Sequence, residues 1–146
     1  MQNSAIEILL VEDNSNDAEL TIRALTKNKI ANNITHLKDG ADALAFLFGT
    51  GEYIERDIKN KPRLILLDLK MPKVDGLEVL EKIKANENTK AIPVVMLTSS
   101  KEHPDIEKAY ALGANSYIVK PVDFDGFAKV ITELGFYCLL LNQSPL

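Results

Sequence analysis

Four groups of polar side chains stand directly behind short apolar runs. Glu12-Asp13 follows residues 6–11, Asp68 follows residues 64–67, Thr98-Ser99 closes residues 93–97, and Lys120 follows residues 116–119. Taken singly, each fits a plain structural role, because polar residues commonly begin loops. Taken together, on neighbouring strands, they place three carboxylates in one pocket. Like charges that close raise one another's pKa, and a divalent cation relieves them. Oxygen-only ligands with room left for water suit magnesium better than zinc, and no cluster of His and Cys offers a second kind of metal site. An aspartate in such a pocket can accept a phosphoryl group as an acyl phosphate. That transfer needs positive charge and hydrogen-bond donors around the moving oxygens. Magnesium and Lys120 would supply the charge, and the Thr98 hydroxyl and the Ser99 backbone amide the donors.

The elements that must position these groups are legible in the pattern. Five apolar runs, at residues 6–11, 34–37, 64–67, 93–97 and 116–119, alternate with helix-like segments. Ile8-Leu9-Leu10-Val11 and Leu64-Ile65-Leu66-Leu67 are apolar at every position, as strands covered on both faces require. The run at 34–37 is interrupted by Thr35 and His36. Asn16, with Glu19 three residues on, is expected to cap a first helix with Ala18, Ile22 and Leu25 inward, and a second helix is expected from near Gly40 to Phe48. Asp75, followed by Glu78, caps a third, with Val79, Leu80 and Ile83 buried. Pro104 suits the first turn of a fourth helix and Gly113 the position past its end. Asp123 caps a fifth, with Phe124, Phe127, Ile131 and Leu134 inward. This βα alternation argues for a doubly wound α/β fold, a (βα)5 chain with a five-stranded parallel sheet. In such sheets ligands bind beyond the carboxyl ends of the strands, which is where all four polar groups fall. Residues 49–63 form the one long irregular stretch and read as a solvated surface loop with an extended helix end.

Bulk properties narrow the classes. The chain has 146 residues, a size for one domain, with 46% hydrophobic and 26% charged residues. A single domain over 1–146 is expected, with a core at about 6–134 and an apolar tail at 135–146. The net charge of −4 and the lack of a Lys/Arg block speak against direct nucleic-acid binding. No apolar run is long enough to span a bilayer, and no secretory signal is visible. With the lone Cys138 unable to form an internal disulfide, these features favour the cytoplasm. Cys138 reads as a small apolar residue. His36 and His103 are far apart and lack a Ser or Cys partner for a triad.

At these residues the chain resembles the receiver domains of two-component response regulators. The likeness covers roughly residues 6–134. It rests on Leu10-Val11-Glu12-Asp13-Asn14, Leu67-Asp68-Leu69-Lys70-Met71-Pro72-Lys73-Val74-Asp75-Gly76, Leu97-Thr98-Ser99-Ser100, Gly113-Ala114 and Tyr117-Ile118-Val119-Lys120-Pro121. The resemblance implies a flavodoxin-like fold with strand order 2-1-3-4-5 and Asp68 as phosphoacceptor. It implies magnesium held by Glu12, Asp13, Asp68 and the backbone carbonyl of Lys70. Thr98 would be the switching hydroxyl, Lys120 the cation that pairs with the phosphoryl group, and Tyr117 an aromatic switch. The Lys120–Pro121 peptide would be cis. Phe46-Leu47-Phe48-Gly49 with Gly51-Glu52-Tyr53, and the apolar tail, are similar to stand-alone regulators that pair with phytochrome-type and related sensor kinases. A sensor histidine kinase is the implied phosphodonor. Output would pass to a downstream protein, to a histidine phosphotransfer partner, or through self-association. The tail Phe136-Tyr137-Cys138-Leu139-Leu140-Leu141 would either fold back or form a homodimer or partner surface.

In this reading phosphorylation of Asp68 draws Thr98 inward and Tyr117 turns from exposed to buried. The chain would be a signalling receiver, not a turnover enzyme, catalysing only its own phosphorylation and dephosphorylation. Lys70 is a departure from many receivers, and its side chain is expected to point to solvent. Two other readings stand beside this one. In an Asp-based phosphatase a second acid would follow two residues after the nucleophile, but Lys70 stands there. A receiver used only as an unphosphorylated interaction module would have no need of the acid, hydroxyl and lysine set. A nucleotide-binding domain is disfavoured, since no G-x-x-x-x-G-K or G-x-G-x-x-G run is present.

Overall fold

Runs that are apolar at every position can be satisfied only between two layers of side chains, and that is where they lie. The computed structural model describes residues 8–27, 33–71, 73–99 and 104–134. The strands are β1 (Ile8–Val11), β2 (Ile34–Leu37), β3 (Leu64–Asp68), β4 (Val94–Thr98) and β5 (Ser116–Val119). Between and after them lie α1 (Ser15–Lys27), α2 (Gly40–Phe48), α3 (Gly76–Ala85), α4 (Asp105–Ala111) and α5 (Phe124–Leu134). The strands form one parallel sheet in the order β2-β1-β3-β4-β5, the expected flavodoxin-like arrangement.

Successive strand residues point to opposite faces, and both faces are covered. Ile8, Leu10, Leu64, Leu66, Val95, Leu97 and Ile118 pack with Ala18 and Leu25 of α1 and Phe127 and Val130 of α5. Leu9, Val11, Ile65, Leu67, Val94 and Met96 pack on the other side with α2, α3 and Ala109 of α4. The interrupted run is explained by position. β2 is an edge strand, where Ile34, Thr35 and His36 are half-buried and Leu37 alone is buried.

The helix starts follow from single side chains. Asp39, Asp75 and Asp123 each accept a backbone N–H three residues on, from Asp42, Glu78 and Gly126, at 2.7, 3.0 and 2.7 Å. For α1 the expectation is corrected. The cap is Asn14, whose Oδ1 accepts the Asp17 N–H at 2.9 Å, and Asn16 already lies inside the helix. The helix begins earlier because the Asn14 side chain takes up the open Asp17 N–H of the first turn.

The long stretch at 49–63 is largely exposed, as expected, but it is tied to α2 by specific contacts. α2 ends at Gly49, in the left-handed conformation (φ 69°) that glycine adopts without penalty. A 3-10 turn at Gly51–Tyr53 then brings Tyr53 edge-on to Phe46, 5.3 Å between ring centroids, with its hydroxyl donating to Asp42. The Arg56 guanidinium lies 3.9 Å over the Phe46 ring and donates to the carbonyls of Phe46 (2.8 Å) and Asn60 (2.6 Å). Burial lowers its pKa from the usual arginine value. The segment is an exposed lobe anchored on the end of α2 through Tyr53 and Arg56.

Among the described residues no helix is long and apolar enough to cross a membrane. Ile6, His103, Cys138 and the tail lie outside the described residues, as do the side chains of Phe124, Ile131 and Leu134.

Candidate functional site

Parallel register places the polar groups together. Val11 pairs with Leu67 and Asp68 with Leu97. Glu12 and Asp68 therefore emerge side by side at the carboxyl edge of the sheet. Thr98 pairs with Val119, and the next backbone N–H, that of Lys120, donates to the Thr98 carbonyl at 2.7 Å. The Lys120–Pro121 peptide is cis, as expected. Opposite, α3 starts over the backbone of Asp68. A Cβ on Gly76 would collide with the Asp68 carbonyl oxygen, so only glycine fits there.

The result is a cavity of about 200 Å³ at this edge. Glu12, Asp13, Asp68, Lys70, Thr98, Ser99 and Lys120 all line it, joined by Asn14, Asp17 and Leu69. Glu12, Asp68 and Thr98 are buried, while Asp13 is exposed at the mouth. Glu12, Asp13 and Asp68 each offer a carboxylate oxygen within 4.8 Å of the others. This donor set, all oxygen and partly open to water, fits a hard divalent cation, and among the described residues no other group of His, Cys or acids does so.

Lys120 is the cation already present. Its Nζ lies 3.1 and 3.4 Å from the two oxygens of Glu12, 3.1 Å from Asp17 Oδ2 and 3.4 Å from Asp68 Oδ1. Burial works against its charge, but the Asp17 hydrogen bond, the Asp68 charge and Glu12 outweigh it, and its pKa is raised. Asp68 shows the opposite imbalance. Burial first, then the hydrogen bond to and charge of Glu12, push its carboxyl up to about 7 despite Lys120. One lysine cannot neutralise four carboxylates, so the pocket favours an additional positive charge.

Tyr117 does not belong to this cavity. It sits on β5, half-buried, with its ring edge-on to Tyr110 of α4 at 6.2 Å. The Lys70 side chain points to solvent, as expected, 66% exposed, and its ammonium there pairs with Asp105 at the start of α4, 2.8 Å away, whose hydrogen bond and charge raise its pKa. Sequence reading passed over three contributors. Asp17 reaches Lys120 from the first turn of α1. Asn14 both caps that helix and donates its backbone N–H to Glu12 Oε2 at 3.2 Å. His36 reaches the carbonyl of Glu12 at 2.8 Å through Nε2. A carbonyl only accepts, so Nε2 carries the proton there. The acid five residues after Glu12 was a usable signal for Asp17. For His36 nothing in the sequence marks the contact, which exists only because β2 lies beside β1.

The comparisons agree with this geometry. Residues 8–132 match the family model of the response regulator receiver domain. The probable methanogenesis regulatory protein FilR2 of Methanothrix harundinacea (strain 6Ac) is 43% identical over 138 residues, 94% of this chain and 86% of that protein. Response regulator Rcp1 of Synechocystis sp. (strain ATCC 27184 / PCC 6803 / Kazusa) is 42% identical over 138 residues, 94% and 92% of the two chains. A solved structure of the Mn(2+)-bound form of response regulator Rcp1 superposes with a TM-score of 0.75 at 38% identity, covering 97% of this chain and 99% of that one. The solved bacteriophytochrome response regulator AtBRR gives a TM-score of 0.83 at 49% identity, over 92% and 96% of the two chains. On the match from 8 to 132 and on the shared architecture, this chain belongs to the response regulator receiver domain family.

Proposed function

We propose that the chain is a phosphoacceptor receiver, phosphorylated on Asp68 by a partner histidine kinase with Mg2+, that signals to a partner protein through a conformational switch. The observation that carries this is a buried aspartate sharing a cavity of about 200 Å³ with three further carboxylates and a lysine 3.4 Å away. Glu12, Asp13, Asp68 and the Lys70 carbonyl would hold the magnesium. That cation would offset the charge of the carboxylates and of the arriving phosphoryl oxygens. The ionised Asp68 carboxylate attacks phosphorus. A P–O bond forms as the P–N bond to the kinase's phosphohistidine breaks, and the imidazole leaves. Lys120 pairs with the transferred group, and the Thr98 hydroxyl and the Ser99 backbone N–H donate to its oxygens. The residue two after Asp68, where an Asp-based phosphatase would carry its second acid, is a lysine tied to Asp105. The reading is therefore a receiver and not a phosphatase.

The switch follows from adjacent strands. Thr98 ends β4, and Met96 on the same strand pairs with Tyr117 of β5. Drawing Thr98 toward a phosphoryl oxygen frees space behind it, into which Tyr117 turns from its place beside Tyr110. The altered face is α4, β5 and α5. The similarity to AtBRR supports a phytochrome-type kinase as partner, and the net charge of −4 with no Lys/Arg block supports a cytoplasmic protein that does not bind nucleic acid directly.

Incubation with acetyl phosphate and magnesium, followed by borohydride trapping and mass spectrometry, tests the assignment. Label is expected on Asp68 and absent from Asp68→Asn. Equal labelling of both proteins removes Asp68 from the role.

A further inference from the structure

Lys120 is held from two sides, and one of its holders is not part of the three-carboxylate cluster. Asp17 Oδ2 lies 3.1 Å from Nζ, yet Asp17 is not among the acids whose oxygens gather within 4.8 Å. Asp17 therefore serves the lysine and not a cation. We propose that Asp17 is a positioning residue of this site, fixing the Lys120 ammonium where it meets a phosphoryl group on Asp68. This rests on the reading of Asp68 as phosphoacceptor.

An ammonium has three N–H donors on a flexible four-carbon stem. Glu12, on the strand end beneath it, takes up one side at 3.1 and 3.4 Å. A single anchor leaves the ammonium able to swing about its stem. Asp17 supplies the second, from a different element. Its position is set by the Asn14 cap, which bonds the Asp17 N–H at 2.9 Å and so fixes the first turn of α1 over the end of β1. With two directions taken, the remaining one faces Asp68, whose Oδ1 at 3.4 Å is beyond the hydrogen bonds made to Glu12 Oε1 and Asp17. The Lys120 side chain is only 14% exposed, so water replaces a lost partner poorly.

The test is a double-mutant cycle read as the rate of Asp68 labelling by acetyl phosphate at saturating magnesium. Asp17→Ala is expected to slow labelling roughly three- to tenfold, the loss of one charged hydrogen bond. In a Lys120→Ala background the same substitution is expected to change nothing further. A merely structural role would slow both backgrounds alike. Should Asp17→Ala fail to fold, Asp17→Asn, which keeps the shape and removes the charge, is run through the same cycle. Equal slowing in both backgrounds, unaltered labelling, or faster labelling in the Lys120 background overturns the proposal while leaving Asp68 as acceptor. A wild-type protein that takes no label overturns both.

Discussion

At the scale of single residues, Asp68 couples the site to stability. Its carboxyl is raised to about 7 from an ordinary 3.8, with burial the largest cause. The folded chain thus keeps a proton that the unfolded chain gives up near pH 4. The stability this group lends is complete below about pH 4 and is lost as pH climbs through about 7. In the absence of divalent cations, Asp68→Asn is expected to raise Tm at pH 8 by a few degrees and to lose that advantage near pH 4. About 1 kcal/mol corresponds to about 2–4 °C in a chain of this size. Thermal melts in a chelator at the two pH values decide it, and an equal shift at both would contradict the burial of charge as the cause. The same carboxyl must shed its proton to bind a cation. Magnesium affinity by titration calorimetry should therefore rise between pH 6 and pH 8, and affinity independent of pH over that range counts against Asp68 as a ligand.

At the scale of elements, the strands and two of the caps, Asp75 and Asp123, were legible because their causes are local. An all-apolar run has one way to be buried, and an aspartate before a helix has one row of N–H groups to accept. The lobe at 49–63 was not legible, because its order comes from side chains folding back on α2. Arg56 looks like any surface arginine until Phe46 lies beneath it and two carbonyls face it. Asn14 and Asn16 could not be separated from sequence, since both can cap and the choice depends on where β1 lets go of the chain. Arg56→Ala is expected to cost about 1–3 kcal/mol, from two lost bonds by a charged donor and the ring contact. Urea denaturation measures the loss, and hydrogen exchange should show it concentrated in residues 49–63. A cost below about 0.5 kcal/mol would mark the lobe as independent of Arg56.

At the scale of the whole molecule, the sheet separates folding from chemistry. Its three central strands are apolar on both faces up to their carboxyl ends, and the reactive groups are confined to one rim. Glu12, Asp68, Thr98 and Lys120 could be placed from sequence because each follows a recognisable strand. Asp17 and His36 could not, since their contacts depend on how α1 and β2 sit against β1. Phe127, fully buried between α5 and the sheet, shares one core with Ile8 and Leu10 of β1 and with Ala18 and Leu25 of α1. Phe127→Ala is expected to cost about 3–5 kcal/mol while keeping a single unfolding transition; separate transitions by calorimetry would show the faces to be independent. The ring contact between Tyr110 and Tyr117 has a practical consequence. The chain has four tyrosines and no tryptophan, and two of the four touch across the α4–β5 junction. Half of the tyrosines therefore sit at that junction, so tyrosine emission of the unmodified protein offers an optical readout of the signalling face without any attached dye.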